Sequence, residues 1–278
     1  MRALIVLALA VAATGCGRRD APSAGSGAAG SATPRIVTLS PSATEVVAAL
    51  GATSELVGVD DYSKFPPEVA GLPKVGNFLQ PNLEAIVRLR PTLVIADDVH
   101  ADVARALADA GVATVSVPMH ALPDVERALV DIGARIGRAD AASNIVAEIE
   151  ATLDAAHAEQ PAKRPRVLAV IDHEVGGLGG LVAVGPGTWL DELLALAGGE
   201  NVLAASGVRY PKISLEEVVR GQPDVILDVG PAAATAPWSA VDVPAVRAGR
   251  VRVLDAPYLM APSPRLHEAI GAVRAAIK

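Results

Sequence analysis

The chain has 278 residues, a formal charge of −7 and 51% hydrophobic residues, with only 3% aromatics. The acidic balance argues against a nucleic-acid partner, which needs a basic face, and the single cysteine, Cys16, leaves no internal disulfide. A length of this order supports two modest lobes, each with its own core.

Met1 and Arg2, followed by the apolar run Ala3 to Ala13, have the charge and short hydrophobic core of an export signal, too short for a permanent membrane span. The signal is read as residues 1–15. Ala13-Thr14-Gly15-Cys16 resembles a bacterial lipoprotein cleavage site, with Cys16 as the lipidated first residue of the mature chain. The alternative is ordinary cleavage that leaves a free thiol. Residues 16–34, dominated by Gly, Ala, Ser and Pro, read as a linker that buries too little to fold.

From Arg35 onward the pattern is α/β. Arg35–Leu39, Leu93–Ala96, Val112–Ser116, Val167–Ile171, Val225–Leu227 and Val251–Leu254 read as strands separated by helical stretches, an alternation that favours parallel sheets covered on both faces. Residues 35–121 are read as one lobe and 161–278 as a second. Between them, apolar residues at Leu122, Val125, Leu129, Ile132, Ile136, Ile145, Ile149, Leu153 and Ala156 keep helical spacing. The expectation is one continuous inter-lobe helix over 122–160, roughly 57 Å long at 1.5 Å per residue. The competing reading is a break near Gly137, since Gly133 and Gly137 each cost about 1 kcal/mol against Ala.

The two lobes repeat one phrase. Asn82 to Ile95 recurs as Ser214 to Leu227, each a capped short helix, a proline stop (Pro91, Pro223) and a buried strand. Ser214 with Glu217 forms a capping box. Glu84 and Glu216 occupy the same place in the first turn of each copy. Singly, either is an ordinary helix-start acid; as a matched pair they read as two acidic knobs for a two-sided partner. A weaker echo relates Ser40–Gly51 to Gly185–Gly198, each a Pro-marked loop opening a helix that ends in Gly.

Catalytic constellations are missing. There is no Gly-x-Ser-x-Gly elbow, no phosphate loop and no His-Glu-x-x-His helix. Gly176-Gly177-Leu178-Gly179-Gly180 reads as a loop after a strand. His100, His120, His157, His173 and His267 are dispersed, so a metal site would need folding to assemble it. Asp60-Asp61 and Asp97-Asp98 read as solvated loop charges. Neither an enzymatic activity nor a resident cofactor or metal is expected. The scarce aromatics are the unusual feature, because Tyr62, Phe78, Tyr210 and Tyr258 all fall in connecting segments. Loops at the carboxyl ends of parallel strands are where open α/β sheets bind ligands.

Ile36–Glu45, Gly58–Pro67, Asn82-Leu83-Glu84 before the Pro91 strand, and Ser263-Pro264-Arg265 resemble the cobalamin-binding members of the helical-backbone substrate-binding proteins, which serve importers of B12, haem and iron chelates. The resemblance covers essentially Arg35 to Lys278. It implies two Rossmann-like lobes joined by a single long rigid α-helix, the class III periplasmic binding protein architecture, with a corrinoid carried as transported ligand in the cleft. By matching position, Tyr62, Phe78, Tyr210 and Tyr258 would face that ligand, and Glu84 and Glu216 would meet basic pockets on an ABC permease and its ATPase. Known cobalamin binders carry Trp where Phe78, Tyr210 and Tyr258 stand. Haem or an iron siderophore is the alternative ligand, with His173 and the cleft tyrosines as candidate contacts; a non-transport sensory or interaction module is the alternative class. The expected state is an exported monomer on the periplasmic side of a bacterial membrane, anchored through Cys16.

Overall fold

The computed structural model describes residues 34–278, so the expected export signal, Cys16 and nearly all of the linker lie outside the described residues. The first lobe runs β1 (Ile36–Thr38), α1 (Pro41–Ala49), β2 (Leu56–Gly58), the antiparallel pair β3 (Gly76–Asn77) and β4 (Gln80–Pro81), α2 (Leu83–Arg88), β5 (Leu93–Ala96), α3 (Ala101–Asp109) and β6 (Thr114–Ser116). Two helices follow, α4 (Leu122–Arg135) and α5 (Ala139–Ala158). The second lobe contains β7 (Arg166–Asp172), β8 (Val182–Ala183), α6 (Trp189–Leu196), β9 (Glu200–Asn201), α7 (Leu215–Gly221), β10 (Val225–Asp228), α8 (Pro244–Arg247), β11 (Val251–Val253) and α9 (Leu266–Ile277).

The first sheet has the order β2-β1-β5-β6 with every pair parallel. The second runs β11-β10-β7-β8; β10 is parallel to both β11 and β7, while β8 is antiparallel and β9 pairs with the amino end of β7. Period-two alternation explains why helices cover both faces. Ile36, Leu93 and Ile95 point into one core, Val37 and Val94 into another with Ile86 of α2 and Leu107 of α3. In the second lobe Val167 and Ala169 face Leu193 and Val273, whereas Leu168, Val170 and Ile226 face Val218 of α7, Ala245 of α8 and Trp238. Helices α2 and α7 therefore occupy corresponding outer faces, as the sequence repeat anticipates.

The expected unbroken helix over 122–160 is two helices. α4 stops at Arg135 with Ile136 as its C-cap, Gly137 adopts φ +71°, and the Arg138 N–H bonds back to the Gly133 carbonyl at 2.7 Å. A glycine in the left-handed region closes the helix here, which outweighs the uninterrupted apolar register. The two helices cross closely at that corner: a Cβ built on Gly133 would lie 2.7 Å from the Ala142 Cβ. One core nonetheless runs without interruption from Ile36 and Val46 through Ile132 of α4 and Ile149 and Ala156 of α5 to Leu193 and Val273. Its 20 residues make α5 about 30 Å long, the principal brace between the lobes. No helix among the described residues is long and apolar enough to cross a membrane.

Candidate functional site

The carboxyl ends of the parallel strands bring together the loops that carry Asp60 and Tyr62 (after β2), Asp97 (after β5) and His120 (after β6) in one lobe. In the other they bring His173 (after β7), Asp228 (the end of β10) and Tyr258 (after β11). Two contacts fasten these edges together. The Leu122 N–H donates to Glu192 Oε2 of α6 at 2.6 Å. Arg265 grips Glu45 of α1 with two bonds of 3.0 and 3.2 Å, and Ser263 donates its hydroxyl to the same carboxylate. The Arg265 guanidinium also lies over two rings, 3.8 Å from the centroid of Phe65 and 4.6 Å from that of Tyr258.

The Tyr62 loop is fixed from below. The hydroxyls of Thr38, Thr44 and Ser63 are hydrogen-bonded in series at 2.6 and 2.7 Å, and Ser63 donates to Asp60, which also accepts from the Tyr62 N–H. Burial pushes the Asp60 carboxyl above its ordinary range, with these hydrogen bonds and Lys74 acting against it. The Tyr62 side chain itself is 62% exposed above this buried network. Phe78 is half-buried, edge-on to His100 with ring centroids 5.0 Å apart. His100 Nδ1 accepts from the Asp97 N–H and its Nε2–H donates to the Phe78 carbonyl, so a neutral imidazole pins this loop.

Asp97 is not the solvated loop charge expected from sequence. It is buried, because it ends a central strand and caps the turn that follows through the Val99 N–H. Folding also brings His120 to it: His120 Nε2 lies 2.8 Å from Asp98 Oδ1 and 3.4 Å from Asp97 Oδ1. Burial and the neighbouring Asp98 raise the Asp97 carboxyl to about 6, while its hydrogen bond with Asp97 and the contact with His120 lower Asp98. The ligating atoms of Asp97, Asp98 and His120 all lie within 4.8 Å of one another, which makes them the group among the described residues able to hold a metal ion. A three-point contact of this kind across two connections carries no fixed spacing in sequence.

On the second lobe Tyr210, 50% exposed, borders a recess of about 140 Å³ formed with Ile171, Trp189, Leu259 and Met260. Burial raises the Tyr210 phenol, so its ring is presented uncharged. Trp189 forms a buried wall and donates its indole N–H to the Tyr258 carbonyl at 2.9 Å. The sequence reading passed over Trp189 and Met260; the Pro-marked loop before Trp189 was the available signal. Tyr258 is half-buried beneath Arg265 rather than free in the cleft.

His173 departs from its expected role. Its side chain is fully buried, with Nε2 2.9 Å from Asp228 Oδ2 and Nδ1 2.9 Å from the Glu174 carbonyl. Burial alone lowers this imidazole, but the bonds to Glu174 and Asp228 outweigh it and the net displacement is upward. With both ring nitrogens engaged, His173 holds the loop after β7 to the end of β10 and has no lone pair to offer a ligand.

A larger depression, about 910 Å³, lies between α1, the Phe65–Leu72 segment, α5 and the start of α9. Its wall runs from Leu56, the first residue of β2, to the Glu45–Arg265 clasp and Phe65, and it includes none of Tyr62, Phe78, Tyr210 and Tyr258. Glu84 and Glu216 stand exposed in the first turns of α2 and α7, whose caps form as expected: Asn82 accepts from the Ala85 N–H and Ser214 from the Glu217 N–H.

A family model described as periplasmic binding protein matches residues 36–258. The chain belongs to the periplasmic binding protein family. Among its relatives, the vitamin B12-binding protein of Salmonella typhimurium strain LT2 is 32% identical over 207 residues, 72% of this chain and 74% of that one. That of Vibrio cholerae O395 is 28% identical over 244 residues, 85% and 86% of the two chains. This periplasmic binding protein also superposes on the apo haem-binding protein RhuT from Roseiflexus sp. RS-1 with a TM-score of 0.78 at 28% identity, covering 89% of this chain and 100% of that one. The vitamin B12 binding protein BtuF of Vibrio cholerae gives 0.71 at 28% identity, covering 88% and 96%. The architecture is that of class III periplasmic binding proteins, whose helical bridge is here formed by α4 and α5.

Proposed function

We propose that this protein is the substrate-binding component of an ABC importer, that it captures cobalamin or a related corrinoid between its lobes, and that it hands the molecule unchanged to a membrane permease served by an ATPase. The observation that carries this reading is the exposed aromatic surface at the carboxyl edges of both sheets, Tyr62 on one side and Tyr210 with the Trp189–Met260 recess on the other, in a chain that counts vitamin B12-binding proteins among its sequence relatives. Flat rings cover the apolar faces of a macrocycle, and affinity comes from removing those faces from water at about 25 cal/mol per Å². Phe78, pinned by His100, completes the first-lobe wall. Glu84 and Glu216 meet the permease, one from each lobe. The protein works as a monomer on the periplasmic side, tethered through Cys16.

A haem ligand is the second reading, favoured by the closer superposition on a haem-binding protein (0.78 against 0.71). Tyr62 and Tyr210 are then the contacts available to iron, and His173 is not. Titration calorimetry of the folded domain with cyanocobalamin, cobinamide and haemin separates the two. Corrinoid binding with an unmoved haemin spectrum is expected; haemin binding with a shifted Soret band and no corrinoid heat overturns the corrinoid assignment.

A further inference from the structure

Three side chains that the cargo reading does not use meet on the rim of the first lobe. Asp97 and Asp98 follow β5, and His120 lies in the connection from β6 to α4. His120 Nε2 stands 2.8 Å from Asp98 Oδ1 and 3.4 Å from Asp97 Oδ1, and one donor atom from each residue falls within 4.8 Å of the others. Four-coordinate zinc with bonds of about 2.0 Å holds its donors about 3.3 Å apart, along the edge of a tetrahedron. The 3.4 Å contact matches that edge, and the 2.8 Å contact has to widen by only about half an ångström. The three side chains grade from buried to open, with Asp97 1% exposed, His120 32% and Asp98 56%. An ion therefore finds a buried anchor and an approach from solvent.

The backbone under two of these residues is held from behind. The Asp97 N–H donates to His100 Nδ1 at 3.1 Å, and the N–H groups of His120 and Ala121 donate to the Asp124 carboxylate at 3.0 Å. Donors fixed in this way need little reordering when an ion arrives. Asp97 and Asp98 also bring their carboxyl groups into hydrogen-bonding contact, an arrangement that two carboxylates keep only with a proton or a cation between them. The imidazole nitrogen selects against magnesium and calcium, which prefer shells of six or more oxygens. We propose that Asp97, Asp98 and His120 bind one divalent first-row transition-metal ion of the zinc class, with the fourth position left to water. Such an ion ties the turn after β5 to the connection after β6. Because His100, which accepts from Asp97, also holds the Phe78 carbonyl, the tie extends to the loop that carries Phe78.

Calorimetric titration of the purified protein with zinc chloride tests this, at about pH 7.5 so that the imidazole is neutral and free to ligate. One zinc per chain is expected, and magnesium chloride should give no heat of binding. His120→Ala and Asp98→Asn each remove a direct ligand and should weaken zinc binding by about a hundredfold. His157→Ala, which removes an exposed histidine of α5, should bind zinc as wild type does. Cobalt(II) chloride gives a second readout, because four-coordinate cobalt absorbs visible light far more strongly than the hydrated ion. That band should appear with wild type and vanish in His120→Ala. Circular dichroism of the metal-free variants is the folding control; if one variant fails it the other decides, and if both fail the wild-type cobalt spectrum decides. No zinc binding up to about 0.1 mM, zinc binding that the folded variants retain, or a cobalt spectrum like that of the hydrated ion overturns the site. No cargo or permease enters these titrations, so each of those results leaves the corrinoid reading standing.

Discussion

Arg265 and Glu45, separated by 220 positions in sequence, form a two-pronged ion pair that joins the start of the last helix to the first helix of the opposite lobe. Both side chains are largely withdrawn from water, at 17% and 8% exposure, and the guanidinium is further held over the rings of Phe65 and Tyr258. Removing one member of such a pair leaves the other charge buried without compensation. Arg265→Ala is expected to lower the unfolding free energy by about 3 kcal/mol. Arg265→Lys should recover only part of this, since a lysine has neither the fork nor the plane. Chemical denaturation measures both, and an Arg265→Ala protein as stable as wild type refutes the clasp.

The two exposed cleft rings are expected to act through their faces rather than their hydroxyls. Tyr62→Ala and Tyr210→Ala should each weaken corrinoid binding by about tenfold, the equivalent of about 1.4 kcal/mol of lost ring burial. The phenylalanine variants should bind within about twofold of wild type. Calorimetry decides this, and equal losses from Phe and Ala at either position would assign the work to the phenol oxygen.

Asp97 gives the stability a pH signature. Its carboxyl titrates near 6 in the fold against an ordinary value of 3.8, so the native state binds that proton more tightly than the unfolded chain. The sign follows: the contribution is complete below the ordinary value and is lost as pH rises through about 6. Asp98, displaced downward, stays ionised throughout that window. Asp97→Asn imitates the uncharged form, so its melting temperature relative to wild type should rise between pH 4.5 and pH 7.5. A difference that is flat or falls across this interval contradicts the assignment.

Gly133 sits inside α4, where alanine ordinarily gains about 1 kcal/mol of helix propensity. Here the added Cβ would stand 2.7 Å from the Ala142 Cβ and 3.2 Å from the Arg138 carbonyl oxygen. Overpacking costs about 1–3 kcal/mol and should win, so Gly133→Ala is expected to destabilise by about 1 kcal/mol net. A stabilised variant in thermal denaturation would mean that the α4–α5 corner can open.

The sheets were legible because their central strands are short, apolar and bounded by prolines and glycines: Leu93–Ala96 and Val225–Asp228 lie where the pattern puts them. The strand Leu56–Gly58 was not, for it has three residues and ends on a glycine that exists for packing, with the Leu89 side chain where a Cβ would go. The inter-lobe helix was misjudged at one corner because apolar spacing survives a break when both helices bury the same side, and only Gly137 records the turn. In the site, exposed Tyr62 and Tyr210 were identifiable by their scarcity and loop position. The burial of His173 against Asp228, the clasp on Arg265 and the meeting of His120 with Asp97 were not, since each is a distance between residues remote in sequence.

The left-handed turns that end α2 and α7 have a mechanical consequence. Arg90 (φ +48°) and Gln222 (φ +41°) each precede a proline and each send the chain at once into a central strand of its sheet. Because both helices run back toward the amino edge before feeding a parallel strand, their first turns lie toward the opposite rim, the one from which the Tyr62 and Tyr210 loops emerge. The two knobs thus stand like the posts of a gateway around the opening. On the docking reading proposed above, a partner that gripped both posts would sit over that opening and stand where released cargo emerges.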